Sequence, residues 1–178
     1  MSEFSESYHL RSERAEDAVE LLRRAQLMGY VYQPVNGWVT FVAESGEFEP
    51  DKRIVAAATR PLLHYVSAED HGWSFTFYDG SKIVSAYRAD WDRKIRVDDS
   101  KYSRAALQKF VPSAQPALLD DFEQHLHPKD FDELYDAEPS KLFAKALGLE
   151  HYDWLCFDDI AQDILDSPDD HAGVIQVS

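Results

Sequence analysis

The sequence has little of the residue types that build covalent and phosphate-binding sites. Its 178 residues include a single cysteine, Cys156, and only seven glycines. One cysteine allows no internal disulfide, which favours a reducing compartment. Neither a P-loop nor a G-x-G-x-x-G pattern occurs, and no G-x-S-x-G pattern surrounds a serine. Nucleotide binding through such loops therefore has no support, and we predict no cofactor.

Long apolar runs are absent as well. The longest unbroken apolar stretch falls far short of the ~20 residues that a membrane-spanning helix needs. The chain opens on polar and acidic residues rather than on a basic segment followed by an apolar one, so we expect no signal peptide. These features predict a soluble, cytoplasmic protein without a membrane partner.

Positive charge is scarce in the last third of the chain. The formal net charge is −15, and residues 118–178 hold 16 Asp and Glu against three Lys, a balance of −13. The remaining 117 residues hold 17 acids against 15 bases, a balance of −2. Phosphates would be repelled by the acidic third, so we predict no nucleic acid partner there. This third is either a solvated, solubilising face or a surface for a basic protein partner.

The clearest structural signal is a hairpin over residues 73–91. Two runs of alternating apolar and polar residues flank Asp79-Gly80, which is a strong hairpin pattern. Trp73, Phe75 and Phe77 are expected to share the buried face of the first strand. A three-residue loop, 79–81, would place Phe77 opposite Ile83 and Trp73 opposite Tyr87. We expect Gly80 to have a positive φ angle.

The residues before this hairpin predict further strands and one helix. Strands are expected at 7–11, 30–33, 37–43 and 62–67, because these stretches are rich in β-branched and aromatic residues. A helix begins near Ser12, carries apolar residues at helical spacing, and ends with Gly29 as its C-cap. Residues 54–59 fit either a short helix or a strand. An edge segment and a short helix near 104–110 follow the hairpin.

The acidic third has helical patterns. Residues 111–116 contain two prolines and separate the β-rich part, about 1–111, from a helical acidic part, about 117–167. Helices are expected at 117–126, 128–135 and 139–147, and residues 168–178 are expected to be a loose tail apart from Val174-Ile175. The prediction is one α+β domain: an antiparallel meander of at least four strands, covered by the N-terminal helix and followed by the acidic helical region.

Candidate binding residues in the acidic third are carboxylates on the predicted solvated sides of the helices, together with aromatic residues that could anchor a partner. They are Asp120, Asp121, Glu123, Asp132, Glu133, Asp136, Asp158, Asp159, Tyr135, Tyr152 and Trp154.

Candidate catalytic residues are few. His64, Asp70 and His71 lie close in sequence near a predicted strand and turn, where they could serve as acid–base groups. They match no ligand spacing, and neither do His125 and His127, so we predict no metal. Cys156 lies among large apolar residues, so we expect a buried, inert thiol.

Three stretches resemble segments of small bacterial proteins, including proteins of the toxin-immunity type. They are Gly37–Phe41, Asp70–Trp73, and Phe143–Leu149 with Tyr152–Leu155, and together they cover under a fifth of the chain. None is a catalytic signature. The resemblance implies a small, acidic, cytoplasmic α+β protein that neutralises a toxin, and it implies no particular binding residues.

Three functions fit these observations. The first is a non-enzymatic protein that binds a basic protein such as a toxin. The second is a small enzyme that uses His64, Asp70 or His71 in a cleft beside the sheet. The third is a structural or regulatory subunit whose aromatic residues form a homodimer face. An enzyme predicts a deep pocket with convergent polar groups, whereas a binding protein predicts a broad exposed face.

Overall fold

The computed structural model describes residues 4–45, 48–112 and 115–178. The strands are β1 Phe4–Arg11, β2 Gly29–Val31, β3 Trp38–Ala43, β4 Leu62–Ala68, β5 Gly72–Asp79, β6 Lys82–Trp91, β7 Ile95–Asp98 and β8 Ile175–Val177. The helices are α1 Ala15–Ala25, α2 Lys52–Ala57, α3 Arg104–Leu107, α4 Ala117–Glu123, α5 Phe131–Ala137, α6 Pro139–Leu147 and α7 Phe157–Asp166, followed by a 3-10 helix at Pro168–His171. Within these ranges, no helix combines the length and apolar character that a bilayer crossing requires.

All eight strands form one antiparallel sheet. Their order is β7-β6-β5-β4-β1-β3-β2-β8, and every neighbouring pair is antiparallel. Strands β4 to β7 follow one another in both chain order and space and form a meander. The predicted meander also ran through residues 30–33 and 37–43, but β1 lies between β3 and β4, so residues 37–43 and 62–67 are not neighbours. The α+β class is therefore confirmed. β1 lies in the middle of the sheet, which explains why all the residues between its ends are buried.

The central hairpin has a tighter loop than predicted. Asp79 pairs with Lys82, so the loop contains only Gly80 and Ser81. A bulge just before Tyr78 then shifts the register. The resulting pairs are Phe77–Ser85 and Trp73–Ala89, and the predicted pairs Phe77–Ile83 and Trp73–Tyr87 are wrong.

Each of these β5 residues therefore faces a β6 residue two positions further along the chain than predicted. Because side chains alternate with a period of two, the buried face is unchanged. Trp73, Phe75 and Phe77 are buried together as predicted, and Tyr87 is buried on the same face, opposite Phe75.

Two local predictions need correction. Helix α1 ends at Ala25, and Gln26 is its C-cap, with φ 56°. Gly29 instead begins β2, where a Cβ atom would meet the carbonyl oxygen of Val42 at 2.5 Å. Of the ambiguous residues 54–59, 54–57 are the end of α2 and 58–59 lie beyond it. The N-cap of α2, Asp51, accepts a hydrogen bond from the amide of Arg53 at 2.7 Å.

The tail, predicted to be loose apart from Val174-Ile175, contains two regular elements. Residues 168–171 form the 3-10 helix, and β8 pairs with β2 through Gly29–Val177 and Val31–Ile175. Val177 is 3% exposed and lies in the same core as α1. The predicted boundary at 111–116 includes residues 113 and 114, which lie outside the described residues.

The two faces of the sheet have different covers. Helix α1 packs on β2, β3 and β8, and its core includes Tyr8, Leu10 and Phe41. The opposite face of the meander carries an aromatic core that helices α4 to α6 help to form. In that core, the rings of Phe75 and Phe143 stack at 4.0 Å between centroids. The helical region is therefore attached to the sheet through aromatic contacts.

We expect Gly80→Val to lower the free energy of unfolding by about 1–3 kcal/mol, because Gly80 has φ +61° and a β-branched residue is strained there. No heavy atom lies within 4 Å of a Cβ atom built at this position, so the effect would come from the backbone alone. Gly80→Asn is the matched control, since asparagine tolerates this conformation. Chemical denaturation measures both variants, and equal stability of Val and wild type would contradict the turn assignment.

Candidate functional site

The predicted acidic residues lie on three helices, and most of them face solvent. Asp120 and Asp121 on α4, Asp132 and Asp136 on α5, and Asp158 and Asp159 in the first turn of α7 are exposed. Within the described ranges, no Lys, Arg or His nitrogen lies within 4.0 Å of the carboxylates of Asp121, Asp132, Asp136, Asp158 or Asp159. These five carboxylates are thus solvated and uncompensated.

Two of the predicted carboxylates have structural roles. Glu123 accepts a hydrogen bond from the hydroxyl of Tyr102 at 2.7 Å and pairs with Arg104, which also pairs with Asp120. Glu123 is only half-exposed, so its assignment to the solvated side of α4 is wrong. Glu133 is likewise half-buried and accepts a hydrogen bond from the amide of Lys129 at 3.1 Å.

The predicted aromatic anchors fall into two groups. Tyr135 is 51% exposed and Trp154 is 52% exposed, so both are available to a partner. Tyr152 is half-buried and packs edge-on against the ring of Tyr65, at 6.2 Å between centroids. It is therefore part of the core packing rather than a free anchor.

Trp154 is held on an unusual backbone. Its φ angle is 54°, in the left-handed region that large side chains seldom occupy. The next residue fixes this conformation: the amide of Leu155 donates to Ser5 Oγ at 3.0 Å, and its carbonyl accepts from the amide of Glu6 at 2.7 Å. An exposed tryptophan is thus presented from a rigid, strained position, as functional residues often are.

A cleft of about 790 Å³ opens beside α7. β1 and the end of β3 supply its floor, with Glu6, Tyr8 and Ala43, and the start of α7 supplies one wall, with Asp158. Five of its lining residues are acidic and two are basic, namely Glu6, Glu44, Glu49, Asp51 and Asp158 against Lys52 and Arg53. The cleft therefore extends the negative surface of α7 into the molecule.

Residues 49–51 also line the cleft, and together with Phe48 we call them the strap. The amide of Phe48 donates to Glu6 Oε2 at 3.3 Å, and the amide of Asp51 donates to the hydroxyl of Tyr8 at 2.9 Å. Arg88 on β6 pairs with Glu49 at 2.8 Å. These contacts fasten the strap across the sheet, and burial raises the pKa of Tyr8 well above its usual range, so its hydroxyl stays protonated.

Beneath the strap, Glu6 and His64 form a buried pair. His64 Nε2 and Glu6 Oε1 are 3.0 Å apart, and the two side chains are 1% and 6% exposed. Sequence reasoning missed Glu6 because the first strand was begun at Ser7. Extending that strand to Phe4 would have placed Glu6 on the face of Tyr8 by simple alternation.

The predicted catalytic group His64, Asp70 and His71 is not assembled. His64 pairs with Thr76 in mid-strand, whereas Asp70 and His71 lie in the β4–β5 turn beyond the Ala68–Gly72 pair. Four strand residues from His64 to Ala68 span about 13 Å. No described cavity is lined by both His64 and His71.

A second buried polar network, formed by Ser7, His9 and Thr40, was not predicted from the sequence. His9 is fully buried, with Nε2 3.0 Å from Ser7 Oγ and Nδ1 2.9 Å from Thr40 Oγ1. Burial lowers the pKa of His9 to about 3, and the nearby His151 and His64 act in the same direction. Each ring nitrogen has a hydroxyl neighbour, which is how a neutral imidazole is satisfied inside a sheet.

The other candidate groups are also separate. His127 pairs with Asp99 at 2.9 Å, while His125 faces Glu133 at 3.9 Å. In the described part of the chain, no three His, Cys, Asp or Glu side chains are arranged to hold a metal ion. Burial raises the pKa of the half-buried Cys156 to about 11, so its thiol is protonated and unreactive at neutral pH.

Comparison of the chain with protein-family models, with curated proteins and with solved structures gives no significant match. The assignment of a site therefore depends on the geometry alone.

The buried His9 predicts a pH dependence of stability. Its pKa of about 3 lies below the value of about 6.5 expected in the unfolded chain. The unfolded state therefore binds a proton that the native state excludes, and stability is lost as the pH falls from about 6.5 towards 3.

We expect this loss to be about 1.4 kcal/mol per pH unit for one such group. His9→Gln is the matched variant, because its amide can still bond Ser7 and Thr40 but does not titrate. The difference in unfolding free energy between wild type and His9→Gln should change by about that slope between pH 6 and pH 4.5. A difference that stays constant over this range would show that His9 titrates normally.

Proposed function

We propose that this protein is a non-enzymatic binding protein that captures a basic protein partner, such as a toxin, through its acidic helices. The observation that carries the proposal is the set of five exposed carboxylates without a cation partner on α4, α5 and α7. We use the name acidic surface for the exposed sides of these three helices, which carry Asp121, Asp132, Asp136, Asp158 and Asp159. Asp158 also lines the cleft beside α7.

Uncompensated charge of one sign has a direct consequence for association. Such a surface attracts a basic partner over distances near the Debye length and raises its rate of association. Arg104, the arginine that pairs with α4, binds Asp120 and Glu123 rather than Asp121. Among the described residues, the five aspartates have no ion-pair partner, so their charge is available to a partner protein.

Short-range affinity would come from the aromatic residues. Tyr135 and Trp154 are exposed, and tryptophan and tyrosine are the commonest hot-spot residues in protein interfaces. Because the backbone next to Trp154 is held by the hydrogen bonds of Leu155, little backbone entropy is lost when the side chain is covered. The cleft beside α7, which Cys156 also lines, offers acidic side chains to a lysine or arginine of the partner.

The test compares two variants with the same change in net charge. The surface variant converts the five aspartates of the acidic surface to asparagine. The control variant neutralises five exposed acids elsewhere, at Glu13, Glu16, Glu20, Asp79 and Asp92. Each substitution should change stability by roughly 0.5 kcal/mol or less, so thermal melts check that both variants fold.

The partner is first captured from a lysate of the source organism by the wild-type chain and identified by mass spectrometry. We expect a basic protein whose association rate falls by at least about tenfold between low and physiological salt. The surface variant should lose most of that salt dependence and associate at least about tenfold more slowly, whereas the control should resemble wild type. Equal association rates for all three chains would mean that the acidic surface is only a solubilising face.

A further inference from the structure

The edge strand β7 has unused hydrogen-bonding groups on its outer side. Among the described strands, β7 lies at one edge of the sheet and has β6 as its single neighbour. The amide of Ala86 on β6 donates to the carbonyl of Lys101, on the β7 side of β6. Since amide directions alternate along a strand, the amides of Arg88 and Asp90 also point towards β7. Their partners Asp98 and Arg96 form the hydrogen-bonded pairs. Ile95 and Val97 therefore direct their N–H and C=O groups outward.

These outward groups are free to form a new ladder. Among the described residues, no backbone hydrogen bond uses the N–H or C=O of Ile95 or Val97 on that side. An edge of this kind is a template for another strand. The strand that would best fit it is set by the side chains that flank Val97.

The side chains of β7 are complementary to themselves. Arg96 and Asp98 lie on one face of the strand, either side of Val97, and both are exposed. Within the described ranges, no carboxylate lies within 4.0 Å of the guanidinium of Arg96. If two β7 strands pair antiparallel about a twofold axis at Val97, each Arg96 lies directly opposite Asp98 of the second copy.

This register also suits the backbone. Val97 would face Val97 of the second copy as a hydrogen-bonded pair, and each Arg96–Asp98 pair would be non-hydrogen-bonded, where side chains are closest. If the twofold axis lay at Arg96 instead, the two copies of Arg96 would face each other. If it lay at Asp98, the two copies of Asp98 would do so. The like-charge pair that the favoured register creates, Arg93 with Lys101, lies outside β7, where the ladder has ended.

We propose that β7 is a homodimerisation strand, which joins two copies of this chain into one continuous sheet through the Arg96-Val97-Asp98 segment. The interface is isologous and therefore closes at two subunits. It is small, so the dimer forms reversibly with concentration. At physiological ionic strength the repulsion between two chains of net charge −15 is screened beyond about 8 Å. The dimer does not depend on the proposed function, because β7 lies outside α4, α5 and α7.

Charge reversal tests the pairing. In Arg96→Glu the two cross-strand pairs become Glu–Asp, and in Asp98→Arg they become Arg–Arg. Each variant alone should weaken dimerisation by roughly tenfold or more, because two attractive pairs become repulsive. An equimolar mixture should dimerise again, since each heterodimer contains one Glu–Arg and one Asp–Arg pair. Sedimentation velocity over a dilution series at physiological ionic strength measures all the samples.

Lys82→Glu is the matched control. It makes the same change of net charge as Arg96→Glu at an exposed position at the far end of β6, and it should dimerise like wild type. Circular dichroism confirms that each variant is folded. The proposal is overturned if the wild-type chain is monomeric throughout the series, if the single variants dimerise like wild type, or if the mixture stays monomeric.

A cross-link tests the register without charge reversal. The two Val97 Cα atoms of a hydrogen-bonded pair lie about 5.5 Å apart, within the range of a disulfide. In a Cys156→Ser background, Val97→Cys should form a covalent dimer under mild oxidation. The same background with Lys82→Cys should not. Failure of Val97→Cys to cross-link faster than Lys82→Cys would contradict the twofold axis at Val97.

Discussion

The structure depends on the aromatic packing between the meander and the C-terminal helices. Phe143 of α6 lies on Phe75 at 4.0 Å and contacts Trp73 at 5.8 Å and Phe122 at 5.3 Å. Such ring pairs contribute about 0.5–1.5 kcal/mol each beyond the area they bury. Two hydrogen bonds orient the same layer. The indole of Trp38 donates to the carbonyl of Leu147 at 2.9 Å, and the hydroxyl of Tyr87 donates to the carbonyl of Leu126 at 2.7 Å. This layer attaches α4, α5 and α6 to the sheet, whereas α7 packs separately against Tyr30 and Val42.

Charge and packing are separated in space, and this separation links the fold to the proposed function. The helices bury apolar residues such as Leu119, Phe122 and Leu134 against the sheet, which leaves their aspartates in solvent. Where a carboxylate is drawn inward, as at Glu123 or Glu6, it has a defined partner. Within the described ranges, the five aspartates of the acidic surface form no ion pair, and repulsion between like charges opposes folding. A role in binding would explain why this destabilising repulsion is present.

Local patterns predicted much of this fold. Alternation placed Trp73, Phe75 and Phe77 on one face, and Pro139 with Gly148 predicted the two ends of α6 correctly. The errors concern interactions between distant residues. The bulge beside Tyr78 and the pairing of β8 with β2 depend on contacts that no local period encodes. For the same reason the sequence suggested the exposed aspartates but not the partners of Glu123, nor the pair between Glu6 and His64, which lie 58 residues apart.

Native-state hydrogen exchange tests most directly whether the aromatic layer makes the sheet and the acidic helices one cooperative unit. Its readout is the opening free energy of individual amides. The protected amides of α4 and α6 should exchange with the same free energy as those of β5 and β6, and Phe143→Leu should lower all four together. Exchange of α4 and α6 at a much lower free energy than β5 and β6 would contradict the account, because the helices would then open independently of the sheet.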